Sequence, residues 1–153
     1  MRYLRKLKIQ LVKGKYKNPV KGQVREPKQL CEVFKAIKDR NQETMIGVYL
    51  LNDLKVAAYD TLSVGSVTET GISSDEVFDR AVITRSRYII LIHNHPSGNP
   101  KPSLADKEAI RALQEGAKWL RKVLLDFIIV GDNTYWSMFE EMDGGDYTLG
   151  SVS

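Results

Sequence analysis

Two residue types that do much of the chemistry in proteins are nearly missing from this chain. It has 153 residues, two histidines (His93 and His95) and one cysteine, Cys31. A single thiol closes no internal disulfide, so the composition suits a reducing compartment, and a cytoplasmic location is expected. No apolar run approaches the roughly 20 residues of a membrane helix, so no membrane partner is expected. The N-terminus, MRYLRKLKIQ, is basic but lacks the apolar core of a signal peptide. There is no internal repeat and no low-complexity segment. No HExxH helix occurs, and with one cysteine the chain cannot supply the PCxxC segment of a zinc deaminase.

What is present is globular in kind. Hydrophobic residues make up 42% and charged residues 27%, and the length fits one domain with a core of its own. The net charge of +4 is unevenly spread. Residues 1–25 carry nine Lys or Arg and no acid, whereas residues 132–153 carry five acids and no base. Such a basic arm could neutralise nucleic-acid phosphates through Arg2, Arg5, Lys6, Lys8, Lys13, Lys15 and Lys17. It could equally be a solvated arm, or one that pairs with the acidic tail. The organisation expected is a basic arm or strand over 1–25, one domain over 26–142, and an acidic, flexible tail over 143–153.

Periodicity sets the elements. KLKIQLV alternates charged and apolar residues as a half-buried strand does. PKQLCEVFKAIKDRN places Leu30, Val33, Phe34 and Ile37 on one helical face, with Pro27 near the start. Cys31 falls beside Leu30 and Phe34, a buried thiol rather than a nucleophile. TMIGVYLL is a short apolar run for a buried strand, with VAAYDTLSVGS as its hairpin partner. SDEVFDRAVI reads as a helix with Val77, Phe78, Ala81 and Val82 inward. YIILI is a central strand, SLADKEAIRALQEGAKWL a long helix, and LLDFIIVG and TYWSMF two further strands. Trp119 and Trp136 are read as core or edge aromatics rather than as a base-stacking platform. The whole is a three-layer α/β or α+β domain with a mixed sheet. Nothing in the sequence sets an oligomeric state.

The two histidines stand one residue apart in YIILIHNHPSGNP. Side chains on a strand alternate faces, so His93 and His95 point the same way and can reach one ion. Asp106 follows the Pro-Ser-Gly-Asn-Pro loop, in the first turn of a helix that Ser103 caps in a capping-box-like arrangement. Two histidines and one carboxylate leave a fourth tetrahedral position on zinc for water, as catalytic sites do. Glu43, just before the strand TMIGVYLL, is the candidate general base. The same residues also admit a plainer account: a strand with two surface histidines, a helix cap, and a solvated glutamate.

HNHPSGNPKPSLAD resembles the JAMM motif of JAB/MPN metalloenzymes: an upstream Glu, His-x-His, seven residues, Ser, two residues, Asp. That motif falls on Glu43, His93, His95, Ser103 and Asp106 with each spacing kept. HNHPSG followed by PSxxD is similar to the RadC branch in particular, and the likeness runs over about residues 27–140. The resemblance implies a cytidine-deaminase-like α/β fold with a mixed sheet between helices. It implies one Zn²⁺ per chain on His93, His95 and Asp106, with zinc-bound water attacking a peptide or isopeptide bond. It gives Glu43 the general acid/base role and Ser103 the stabilisation of the developing oxyanion. A protein or peptide substrate is expected on that reading. A RadC-like DNA-repair factor or metal-dependent nuclease using the basic arm is the alternative, and a non-catalytic partner-binding module is a third. Three departures stand out. The helix-hairpin-helix-type region often found in RadC proteins is expected to be absent, with the short basic arm in its place. Ser74-Asp75 stands for the usual Pro-Arg, and Asp126-Phe127 for the usual Asp-His.

Overall fold

The computed structural model describes residues 1, 3–18, 20–62, 74–143 and 147. Three runs are apolar almost throughout: β1 (Met45–Leu50), β3 (Tyr88–Asn94) and β4 (Val123–Val130). A strand with no polar face must be covered on both sides, and these three form the middle of the sheet. The sheet order is β2-β1-β3-β4-β5, with β2 at Val56–Thr61 and β5 at Tyr135–Ser137. β3 and β4 are parallel and the other pairs antiparallel, so the mixed sheet expected from the sequence is present.

Strand alternation divides the core in two. Ile46, Val48, Leu50, Ile90, Ile92, Ile128 and Val130 face α1 (Pro27–Phe34), the 3-10 turn Lys35–Asp39 and α4 (Met138–Asp143). Met45, Tyr49, Ile89, Leu91, Phe127 and Ile129 face α2 (Ser74–Ile83) and α3 (Leu104–Trp119). The helices thus form the outer two of three layers. An irregularity in β4 sets Ile90 opposite Asp126 after Ile89 opposite Leu124. The extra residue leaves both Leu125 and the Asp126 carboxylate on the α1 side.

Several expectations change. KLKIQLV forms no strand; Leu7, Ile9, Leu11 and Val12 stay exposed because no described strand pairs with them. The helix read over PKQLCEVFKAIKDRN tightens to 3-10 geometry after Phe34. The TYWSMF strand ends at Ser137, where α4 begins. Val82 points outward, while Val77 and Ala81 are buried. Trp136 is partly buried against the sheet, but Trp119 stands 87% exposed. The SVGS end of the β2 segment lies outside the described residues. Among those described, no helix is long and apolar enough to cross a membrane. Tyr147, in the stretch read as a tail, is fully buried and donates to Asp126 at 2.5 Å.

Candidate metal centre

β3 carries the two histidines out of the core at its C-terminal end. His93 is fully buried and pairs in register with Met45 of β1. His95 lies just past the strand, on the same face. Their rings meet edge to face at 4.8 Å between centroids.

Asp106 arrives from α3, whose start is locked by a reciprocal cap. Ser103 Oγ accepts from Asp106 N at 3.1 Å, and Ser103 N donates to Asp106 Oδ2 at 2.8 Å. This satisfies donors that a helix start otherwise leaves open. It also holds a buried carboxylate against the histidines. His93 Nε2 lies 3.1 Å from Asp106 Oδ1, and His95 Nε2 lies 3.0 Å from Oδ2. Burial alone would raise the Asp106 carboxyl. Hydrogen bonds from His93, His95 and Ser103 N outweigh it and hold the carboxyl well below the usual range. The bond to Asp106 raises the proton affinity of His95; burial opposes this, while Asn99 O and the Glu43 charge add to it.

The donor set fits a small divalent ion. One ligand atom from each of His93, His95 and Asp106 lies within 4.8 Å of the others. Zinc bonds of about 2.0–2.1 Å imply ligand–ligand edges of roughly 3.3 Å in a tetrahedron, near the 3.1 Å and 3.0 Å that separate the His93 and His95 Nε2 atoms from the Asp106 oxygens. His95 Nδ1 is 2.8 Å from Asn99 O, which assigns its proton to Nδ1 and leaves the Nε2 lone pair toward the cluster. His93 Nδ1 has no hydrogen-bond partner among the described residues. Phe127 sets a ring without polar atoms 5.6 Å from the His93 ring.

Glu43 stands two residues before Met45, the sheet partner of His93, so the chain runs toward His95 there. Its charge acts on the His95 ring, as that proximity requires. One residue the sequence reading passed over holds this segment. Asn94, fully buried between the histidines, points to the opposite face. Its Oδ1 accepts from Thr44 N at 2.7 Å, and its Nδ2 donates to Arg40 O and Gln42 O at 3.3 Å each. The signal was available, since a polar side chain facing inward from a buried strand needs partners.

The loop between His95 and α3 is braced from β4. Gly98 takes φ +80°, Gly98 N donates to His95 O at 2.9 Å, and Asp132 N donates to Gly98 O at 3.1 Å. Of the arm residues named above, Arg5, Lys6, Lys8, Lys13, Lys15 and Lys17 are exposed, Arg2 lies outside the described residues, and none joins this cluster.

A family model described as RadC-like JAB domain matches residues 24–144. The chain is 33% identical over 126 residues to a UPF0758 protein of Methanosarcina acetivorans, covering 77% of this chain and 55% of that protein. It is 32% identical over 124 residues to a UPF0758 protein of Streptococcus agalactiae, covering 80% and 55% respectively. A UPF0758 protein of Chlorobaculum parvum is 34% identical over 101 residues, 66% of this chain and 46% of its own length. The chain thus spans about half the length of the curated relatives it matches.

Proposed function

The chain belongs to the RadC-like JAB domain family, and on that premise we propose that it is a zinc-dependent hydrolase of peptide or isopeptide bonds. The observation that carries this reading is the convergence of both imidazole Nε2 atoms on the two oxygens of one buried carboxylate. His93, His95 and Asp106 would hold the ion, and the His95 tautomer fixed by Asn99 O supports its role as ligand. Bound zinc acts as a Lewis acid and lowers the pKa of water to about 7. Glu43, beside His95, accepts the proton of the attacking water and returns it to the leaving amine. Ser103 Oγ uses a lone pair for the Asp106 N–H. Its own proton is left to donate to the oxygen on which negative charge develops, a contribution of about 10²–10³ in rate at comparable sites.

Glu43→Gln separates this chemistry from the fold. The variant is expected to keep its zinc and its melting temperature while cleavage of a peptide and isopeptide library drops by at least about 10²-fold. Wild-type protein with stoichiometric zinc that cleaves nothing in the library, or a variant as active as wild type, contradicts the proposal.

A second reading draws on the exposed cations of the arm, Arg5 to Lys17. It makes the domain a metal-containing factor associated with DNA. It predicts binding to duplex DNA at about 50 mM salt that fades when the arm lysines become Gln. No binding at that salt removes it.

A further inference from the structure

The sheet has a second functional-looking end. The metal cluster sits at the C-terminal ends of β3 and β4. About 20 Å away along β3, at some 3.3 Å per residue, the loops 84–87 and 118–122 meet. They carry Arg85, Arg87, Lys118, Arg121 and Lys122. Arg87 Nη1 donates to Arg121 O at 2.7 Å, Lys122 Nζ to Ser86 O at 2.5 Å, and Val123 N to Arg87 O at 3.0 Å. Arg87 and Lys122 are therefore held by main-chain carbonyls, not by acids. Glu115 reaches only Lys118, at 3.7 Å, and Asp53 of the adjoining turn is taken up by Lys55 at 3.2 Å. Arg85, Arg87, Arg121 and Lys122 form no ion pair with any described residue. Burial lowers the proton affinity of Lys122, and the neighbouring Arg87 charge adds to it.

The backbone here gives an independent sign. α2 and α3 end in the same way. Ser86 N donates to Ala81 O at 3.0 Å, and Lys122 N to Ala117 O at 2.8 Å, the six-residue closure of a Schellman turn. The residue at the left-handed position is Arg85 in one and Arg121 in the other, each with φ 54°. Glycine is the usual occupant there, because any Cβ is strained. A cation can complement a helix C-terminus from the last turn without that strain, so the dipole does not account for arginine at both positions. Beside them the Trp119 indole stands 87% exposed.

We propose that this end of the domain binds single-stranded nucleic acid, with Arg85, Arg87, Arg121 and Lys122 on successive phosphates and Trp119 stacked on a base. Three of the four cations without an acidic partner are arginines, whose planar fork matches phosphate oxygens and also stacks on bases. An exposed indole stacks on any unpaired base, but not on one inside a duplex. An acidic peptide would use the charges and leave the indole unused. The site does not depend on the metal or on the arm.

The substitutions Arg85→Gly and Arg121→Gly separate binding from structure, since glycine suits both backbone positions. Anisotropy with labelled 12-nucleotide DNA and RNA would be measured on the full chain at about 50 and 200 mM salt. The double variant is expected to bind at least tenfold more weakly, with an unchanged or higher melting temperature and unchanged zinc content. Its salt dependence should flatten by about 1.4 in log–log slope, the value for two lost contacts to a single strand. Trp119→Ala should weaken binding several-fold and Trp119→Phe less. Comparing the two oligonucleotides tells which sugar is preferred. The proposal is overturned if neither oligonucleotide binds at about 50 mM salt, or if both sets of variants bind as wild type. It is also overturned if polyglutamate or phosphatidylserine vesicles are taken up as tightly as the oligonucleotides.

Discussion

Single side chains carry the account at its finest scale. Strand alternation made His93 and His95 legible as a pair on one face, and the resemblance to the JAMM spacing, not backbone geometry, joined Asp106 to them. Asn94 obeys the same alternation, yet its role shows only once the 40–44 segment lies across from it. Asn94→Ala is expected to cost about 1–3 kcal/mol, the price of leaving a buried N–H without its acceptor. It should also reduce hydrolysis by loosening Glu43, while zinc stays bound on the other face. Loss of the metal together with activity in urea-titrated, still-folded protein speaks against that division. Asp126 was legible only as part of a family pattern. In the structure it is a buried carboxyl with four donors: Phe127 N, Phe139 N, Ser137 Oγ and Tyr147 OH. Burial raises it to about 6 despite those bonds. The folded state therefore binds the extra proton between the ordinary carboxyl range and about pH 6. Stability contributed by this group is present at low pH and is lost as pH rises through that window, by up to about 3 kcal/mol. Urea unfolding at pH 4.5 and 7 should show that slope in wild type and not in Asp126→Asn. Equal slopes in the two proteins contradict the assignment.

At the scale of elements, α2 begins and ends where its apolar spacing and acidic first turn place it, and the Ser103 cap starts α3 as read. The arm was misread because alternation specifies a face but not a partner. KLKIQLV has the face, and no described strand pairs with it. The loop from His95 to α3 depends on one glycine. Gly98 is left-handed, and a Cβ there would run into the Asp132 carboxylate. Gly98→Ala is expected to lower stability by about 1–3 kcal/mol. It should also weaken zinc binding by disturbing Asn99 O, the anchor of the His95 ring. Unchanged unfolding midpoints together with unchanged zinc affinity would show the loop to be more tolerant than its backbone implies.

The whole molecule adds what no local pattern encodes. Sheet order is a property of long-range pairing, so the sequence could name three buried strands but not set β1 between β2 and β3. That order brings Glu43 beside His95. It also puts the cation-rich ends of α2 and α3 together, far from the His93-His95-Asp106 cluster, and turns Trp119 outward where a buried or edge residue had been expected. The fold thus presents two chemically different ends on one rigid sheet.

The central claim is that His93, His95 and Asp106 form a zinc site. Zinc stoichiometry by mass spectrometry, joined to competition with a chromophoric chelator, tests it most directly in wild type and Asp106→Asn. One zinc per wild-type chain is expected, with binding weakened by at least about 10²-fold in the variant and both proteins remaining folded. Equal zinc affinity in the two proteins, or a wild-type chain that binds none, contradicts it.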